Sequence, residues 1–283
     1  MRKTLLSLSV AAALATPILA TAQQAAPQSP HTVTGNAGLF SSYRFRGIDQ
    51  TFGKPALQGG IDYGHASGLY LGNWNSNISE GAGFPAGNLE MDFYGGWKKA
   101  FGDFGLDVGF IYYYYPGTDA NLATGTAFVN PRDATKIHTG RVDNKEIYIG
   151  GSWKWLSLKY SHAIDDYFSL PGTKGSNYLD FSAGYDLGNG WGVNGHVGSF
   201  KLKGWSVGTD ASDGDYTDWK VGVTKDVNGW VFGAAYIDSD AKGSCNPANP
   251  GFYCFANQLP AGAGVKLKDA GRGIVVLSVT KTF

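Results

Sequence analysis

The 283-residue chain contains 42 glycines, 14% aromatic residues and only 16% charged residues, with 23 basic side chains against 23 acidic ones. The many rings argue against disorder, and the equal charges argue against a basic nucleic-acid binder. Because an interior glycine costs a helix about 1 kcal/mol relative to alanine, the composition favours a β-rich chain.

The first 22 residues have the pattern of a cleaved signal peptide. Arg2 and Lys3 give a positive start, and positions 4–20 carry no charge. The triplet Ala20-Thr21-Ala22 fits a small-x-small cleavage site, so we expect cleavage after Ala22, with an uncleaved membrane anchor as the alternative. Residues 23–31 are polar and contain proline, which predicts a flexible lead-in before one domain over residues 32–283.

After the signal peptide the sequence has no run of 18 apolar residues, the length that a transmembrane helix needs. It shows instead twelve segments in which apolar residues recur at every second position, as in strands with one apolar face. The segments are Thr32–Phe45, Lys54–Tyr63, Gly68–Ile78, Asn88–Lys98, Phe104–Tyr115, Val142–Trp153, Trp155–Asp165, Asn177–Leu187, Trp191–Leu202, Tyr216–Val227, Trp230–Asp238 and Arg272–Phe283. Trp230–Asp238 is apolar on both faces, so its orientation stays open.

The connections between these segments alternate between short and long. The even-numbered ones are short and include Gly188-Asn189-Gly190 and Asn228-Gly229, which are tight-turn sequences. Two odd-numbered ones are very long, Pro116–Arg141 and Ser239–Gly271. Short periplasmic turns, long extracellular loops and an even strand number are typical of bacterial outer-membrane barrels. The sequence therefore predicts a transmembrane antiparallel up-and-down β-barrel of 12 strands in the outer membrane of a Gram-negative bacterium.

Aromatic residues cluster beside the proposed short turns, where a periplasmic aromatic girdle is expected. The alternative is a globular aromatic core. The girdle residues are Tyr63, Tyr70, Trp97, Phe101, Phe104, Trp153, Trp155, Tyr185, Trp191 and Trp230. The alternating last strand ends in Phe283, which resembles the signal read by the barrel-assembly machinery, although Lys281 stands where an aromatic residue is usual.

The polar face of each strand predicts the wall of a lumen, and pore charges of this kind set selectivity. The candidate pore-lining or constricting residues are Arg44, Arg46, Asp62, Asn73, Asn75, Glu90, Asp92, Asp107, Glu146, Lys159, Asp180, Asp218 and Lys220. Both signs are present, so we expect a mixed lumen. The loop Pro116–Arg141 is long enough to fold inward as a constriction. Alternatively, Arg44 and Arg46 close the barrel by pairing with Glu90 or Asp92.

No motif for a cofactor or metal is present, and an enzyme is disfavoured. Ser161 and His162 are neighbours and would point to opposite faces of a strand, and no Gly-x-Ser-x-Gly sequence occurs. In an exported protein, the two cysteines, Cys245 and Cys254, are expected to form a disulfide that pins a loop.

The early part of the chain resembles the TorF-type porin family. The resemblance covers most of the mature chain and is most specific over residues 39–117. It rests on Ser42-Tyr43-Arg44-Phe45-Arg46-Gly47, Lys54-Pro55-Ala56, Ser67-Gly68-Leu69-Tyr70 with Trp74 and Ser76-Asn77, Glu90-x-Asp92 and Tyr115-Pro116-Gly117. It implies an outer-membrane porin of Gram-negative bacteria, and no substrate or binding residues.

Together these patterns predict a passive channel that lets small hydrophilic solutes cross the outer membrane. The alternative is a non-conducting barrel with a structural role, or one whose loops bind a partner or surface.

Overall fold

The computed structural model describes residues 29–120, 128–205, 214–246, 251–258 and 265–283. The expected signal peptide, residues 1–22, and most of the lead-in lie outside these ranges, and the first strand begins at His31. Among the described residues, no helix is both long enough and apolar enough to cross a membrane.

Within the described ranges the chain forms eighteen strands and two short 3₁₀ turns, Glu80–Ala82 and Tyr167–Ser169. The strands are β1 (His31–Phe40), β2 (Arg44–Phe45), β3 (Ile48–Asp49), β4 (Ala56–His65), β5 (Leu69–Asn77), β6 (Leu89–Phe101), β7 (Phe104–Tyr114), β8 (Phe128–Asn130), β9 (Asp133–His138), β10 (Asp143–Trp153), β11 (Leu156–Ala163), β12 (Asn177–Gly188), β13 (Trp191–Lys201), β14 (Tyr216–Val227), β15 (Trp230–Ser239), β16 (Cys254–Gln258), β17 (Val265–Asp269) and β18 (Ile274–Thr282).

Twelve of these strands form a closed antiparallel barrel, in the order β1-β18-β15-β14-β13-β12-β11-β10-β7-β6-β5-β4. The remaining six form three small hairpins, β2/β3, β8/β9 and β16/β17. The barrel closes where β1 pairs with β18, with Gly38 opposite Thr280. The predicted fold class and strand number are confirmed. The first predicted strand was too long, because β1 ends at Phe40 and residues 41–55 leave the wall.

The two faces of the wall differ as the alternation requires. On β4 the outward Leu57 and Ile61 are more than 60% exposed, while the inward Gln58 is buried. The orientation of β15, which the sequence leaves open, is settled by Phe232 and Tyr236, which are exposed outward, and Ala235, which is buried inward. An apolar outer wall on a closed sheet is the form of β-structure that a bilayer accepts.

The predicted orientation of β5 is wrong. Leu69 and Leu71 face outward and are well exposed, so Asn73 and Asn75, on the same face, do not line the pore. Their amides are satisfied on the outer wall, where Asn73 Nδ2 donates to the Asp92 carbonyl at 3.0 Å and Asn75 Nδ2 donates to Asn73 Oδ1 at 2.7 Å.

The rings of β5 face the lumen instead. Tyr70 donates to Asp107 at 2.6 Å, and the Trp74 ring packs 5.4 Å from the ring of Tyr43. The prediction placed Tyr70 in the aromatic girdle, but the Tyr70 hydroxyl finds its acceptor inside the barrel. Tyr70 is therefore not part of the girdle.

Other predicted girdle residues, including Trp153, Trp191 and Trp230, are exposed next to the short turns. One of these turns is Asn228-Gly229, with φ of 55° and 78°. Two successive positive φ values are those of a two-residue type I′ hairpin turn, which matches the twist of the strands it joins.

The assigned orientation can be tested with a matched pair of lysine substitutions. Val221→Lys places a charge on the outer wall, where Val221 is 64% exposed, and should cost about 2–4 kcal/mol near the bilayer midplane. Gly184→Lys projects into the lumen, where nothing lies within 4 Å of an added Cβ, and should cost much less. Denaturant unfolding in lipid vesicles measures both. Equal losses would contradict the assignment of the two faces.

Candidate functional site

The connection between β1 and β4 turns into the lumen and forms the hairpin β2/β3. Arg44 lies opposite Asp49 and Phe45 opposite Ile48. The turn residues Arg46 and Gly47 have φ of 49° and 80°, as a type I′ turn requires. This segment, Tyr43–Gln50, is called the plug hairpin below. It contains most of the Ser42–Gly47 motif on which the resemblance to porins rests.

The plug hairpin reaches from one wall of the barrel to the opposite one. At its start, the Tyr43 hydroxyl donates to Glu90 on β6 at 3.3 Å. At its tip, a Cβ added to Gly47 would lie 2.6 Å from the Asp218 Cβ on β14. Only glycine fits this approach, because there is no room for a side chain and φ is positive. The hairpin therefore crosses the lumen.

The tip is held by a buried ion pair between Arg46 and Glu146 of β10. Arg46 Nη1 donates to Oε1 at 3.0 Å and Nη2 to Oε2 at 2.7 Å, which is the bidentate geometry that guanidinium and carboxylate favour. The guanidinium also lies 4.5 Å from the centre of the Tyr178 ring. Burial lowers the pKa of Arg46, but Glu146 more than compensates and the pKa lies well above its ordinary value.

The base of the plug hairpin is bound to the last long connection. Arg44 Nη1 donates to the carbonyls of Ala270 at 2.9 Å and Arg272 at 3.2 Å. Asp49 lies 2.8 Å from Lys268 Nζ. The hairpin is thus fixed at both ends by groups that lie far from it in sequence.

The predicted placement of the two arginines is therefore wrong in its detail. Arg44 and Arg46 lie on the inserted hairpin rather than on the first wall strand, because the chain leaves the wall after Phe40. Arg46 pairs with Glu146 and not with Glu90 or Asp92. The Glu90 carboxylate instead accepts hydrogen bonds from two hydroxyls, that of Tyr43 and, at 3.0 Å, that of Tyr115.

Glu90, Asp92, Glu146 and Asp218 surround the plug hairpin as buried inward residues. Asp218 accepts a hydrogen bond from Tyr178 at 2.8 Å. His196 lies between Asp180 and Asp218, with nitrogen–oxygen distances of 2.8 and 3.3 Å. Glu90, Glu146 and Asp218 each accept from a nearby donor, whereas Asp92 Oδ1 has no hydrogen-bond partner among the described residues.

Between the plug hairpin and the short turns, the inward face carries charges of both signs. Tyr94 donates to Asp62 at 2.6 Å, and Lys159 Nζ lies 4.0 Å from the centre of the Tyr148 ring. The other predicted charges here are Asp107, Asp180 and Lys220, all on inward positions of their strands. We call this region the lower chamber. The charged residues of the lower chamber are the predicted pore-lining residues that the structure brings close to one another.

The described residues of the loop Pro116–Arg141 do not form the predicted constriction of the lumen. Residues 121–127 lie outside the described ranges. The described hairpin β8/β9 lies against other long connections, where Asn130 Nδ2 donates to the carbonyl of Gly204 at 3.0 Å. The segment that enters the lumen is the shorter connection 41–55. Its signal in the sequence was the Arg46-Gly47 pair, which fits a turn better than a strand.

The remaining predictions concern the two cysteines and a metal site. Cys245 and Cys254 are joined by a disulfide, with their Cα atoms 5.2 Å apart. Within the described ranges, no group of three or more His, Cys, Asp or Glu residues could hold a metal ion.

Comparison with known sequences gives one family. A family model described as "Bacterial protein of unknown function (Gcw_chp)" matches residues 24–259. The TorF-type label suggested by the sequence motifs is not confirmed. No curated protein matches the sequence.

Several solved structures, among them a porin and outer-membrane proteins, are similar in fold at low identity. The KdgM porin in complex with disordered oligogalacturonate is 8% identical, with a TM-score of 0.48 over 89% of this chain and 98% of that one. OmpT of Vibrio cholerae is 9% identical, with a TM-score of 0.39 over 91% and 99%. OprD of Pseudomonas aeruginosa is 11% identical, with a TM-score of 0.38 over 89% and 65%. Likeness at this level does not identify a solute.

The ion pair at the tip predicts a clear stability effect. Arg46→Asn keeps a residue that tolerates positive φ but leaves Glu146 buried without its cation, which should cost about 3–5 kcal/mol. Adding Glu146→Gln should recover much of this loss. Urea unfolding measures the three variants. As a control, Lys145→Asn breaks the exposed pair with Asp165 and should cost about 0–1 kcal/mol. An Arg46→Asn loss as small as the control's would contradict the role of the pair.

Proposed function

We propose that this chain, which belongs to the Gcw_chp family of bacterial proteins of unknown function, is a passive outer-membrane channel for small hydrophilic solutes whose flow is limited by the plug hairpin. The observation that carries the proposal is the charged inward face of the lower chamber inside a wall that is apolar outside. Barrels that conduct have polar interiors, and a wall with both Asp107 and Lys159 suits neutral or weakly charged solutes.

The way the plug hairpin is attached supports a gating role. β2 and β3 pair with each other and with none of the twelve wall strands. The hairpin is held by side chains and by bonds to loops, such as the Asp49 amide donating to the Ala270 carbonyl at 2.9 Å. It could therefore shift without breaking any hydrogen bond of the barrel ladder.

The same hairpin also supports the competing function of a non-conducting barrel. Its tip lies against Asp218, and the Arg46–Glu146 pair is almost fully buried. If the hairpin never moves, the barrel carries no solute and its loops are the functional part. Conductance separates the two functions.

Location follows as part of the proposal. A signal peptide cleaved after Ala22 would export the chain, and the strand ending in Phe283 would be the one that the barrel-assembly machinery recognises in a Gram-negative outer membrane. The Phe283 amide donates to the Gly35 carbonyl at 2.8 Å, so the terminus is built into the barrel seam.

Planar-bilayer recording of the refolded protein tests the gating role. The double variant Arg46→Asn/Glu146→Gln frees the tip without leaving a buried charge, and its conductance should exceed that of the unmodified protein several-fold. The matched control Lys145→Asn/Asp165→Asn removes an exposed pair outside the lumen and should change nothing. Absence of current from both the unmodified protein and the double variant would overturn the channel proposal in favour of the non-conducting barrel.

Ion selectivity tests the lower chamber. Lys159→Gln with Lys220→Gln removes two inward cations and leaves the carboxylates, so the reversal potential in a salt gradient should shift toward cation preference. Lys225→Gln is the control, because Lys225 is half-buried on the outer wall beside the ring of Trp191, near a short turn. A reversal potential that does not respond to the double substitution would mean that ions do not pass these residues.

A further inference from the structure

The long connections meet above the plug hairpin and enclose a cavity of about 680 Å³. All six connections at this end of the barrel contribute to its lining, from Phe45 and Ile48 of the plug hairpin to residues 252–256 next to the disulfide. The plug hairpin is its floor. The cavity is therefore separated by the hairpin from the lower chamber.

The lining of this cavity is unlike the lower chamber. Nearly half of its lining residues carry aromatic rings. Among the described residues that line it, Glu80 is the one carboxylate and none is a lysine, arginine or histidine. Glu80 is exposed at the rim. Such a lining favours an uncharged, ring-bearing occupant and offers no cation to an anion.

Among the described lining residues, one buried side-chain polar group lacks a hydrogen-bond partner. Trp205 is 9% exposed, and its indole Nε1–H has no acceptor among the described residues. A buried donor without an acceptor is rare and costly in proteins. Because Nε1 itself is covered, an occupant with a carbonyl or ether oxygen would supply that acceptor once the indole ring turns toward the cavity.

The backbone is strained beside the floor of the cavity. Phe168 has φ 46° and ψ 43°, a left-handed conformation that is costly for a bulky residue and that is concentrated at functional sites. Its ring lies 5.9 Å from that of Phe45 on the plug hairpin and 6.0 Å from that of Phe84 on a neighbouring loop. Phe168 thus joins the floor of the cavity to its wall.

We propose that this cavity is a binding site for a small, uncharged, ring-bearing molecule that has at least one hydrogen-bond acceptor. The rings of Phe168 and Phe255 provide stacking surfaces, and Trp205 provides the donor. The volume lies within the range of about 300–1,000 Å³ typical of small-molecule sites, which are also mainly apolar with few polar groups. This site lies above the plug hairpin, and binding there does not depend on conduction.

Calorimetric titration of the refolded full chain with coumarin tests the proposal. Coumarin is neutral and bicyclic and has a lactone carbonyl as acceptor. Saturable binding of one molecule per chain is expected. Trp205→Phe keeps a ring and removes the donor, so it should weaken binding by about 2- to 10-fold. Phe255→Leu keeps an apolar side chain and removes a stacking ring, and should weaken binding independently.

The matched control is Trp219→Phe, the same substitution on the outer wall, where Trp219 is 38% exposed. It should leave coumarin binding unchanged. Heat-modifiable migration in gel electrophoresis checks that each variant forms the barrel. Coumarin-3-carboxylate, the anionic analogue, should bind more weakly than coumarin.

Three results would overturn the proposal. Coumarin that shows no saturable binding would mean that the cavity is filled by another part of the chain or does not accept ligands. Equal effects of Trp205→Phe and Trp219→Phe would mean partition into the surrounding detergent. Equal or tighter binding of the anionic analogue would contradict the uncharged class. Each result can be read whether or not the barrel conducts, because no current is measured.

Discussion

The structure depends on the requirement that every backbone amide and carbonyl of a sheet in a bilayer has a partner within the protein. The chain meets it by pairing β1 with both β4 and β18, so that no wall strand is left with a free edge. Once the wall is closed in this way, its strands have little freedom to vary. Function is left to the inward side chains and to the connections at the long-loop end.

Alternation then separates two kinds of chemistry on one strand. On β14, Lys220 faces the lumen while Val221 is 64% exposed on the outside. The plug hairpin adds a third element, which is polar at its tip and apolar along one side. Its turn places Arg46 in a left-handed conformation, which is costly for such a residue. The bidentate pair with Glu146 offsets that cost and fixes the tip in the lumen.

The sequence predicts the strands of the barrel wall well, but it predicts poorly which side chains and segments lie inside the barrel. A two-residue period identifies inward residues such as Glu90 and Asp107 because burial on one face is repeated along each strand. It fails on β5, where Tyr70 and Trp74 are large enough to suit lipid but have partners inside, and where asparagines on the outer wall bond to the backbone. Ring size alone does not say which face a ring occupies.

The plug hairpin and the cavity above it could not be placed from a local pattern. Ser41 interrupts the apolar parity between Leu39 and Tyr43, and Arg46-Gly47 fits a turn, but neither shows that the segment leaves the wall and enters the lumen. The partner of Arg46 lies 100 positions away, and loop closures over such distances leave no periodic signal. The cavity lining is drawn from all six long connections, and its character emerges only when they meet.

The plug hairpin belongs to both regions, and this links them energetically. Arg46 holds the hairpin in the lumen, while Phe45 and Ile48 form the floor of the cavity. A molecule in the cavity contacts that floor only while the hairpin is inserted. Binding would therefore stabilise the inserted arrangement. The free energy of this stabilisation equals the difference between the binding free energies for the inserted and the displaced arrangements. The coupling is reciprocal, so a hairpin freed from Glu146 would bind such a molecule less well.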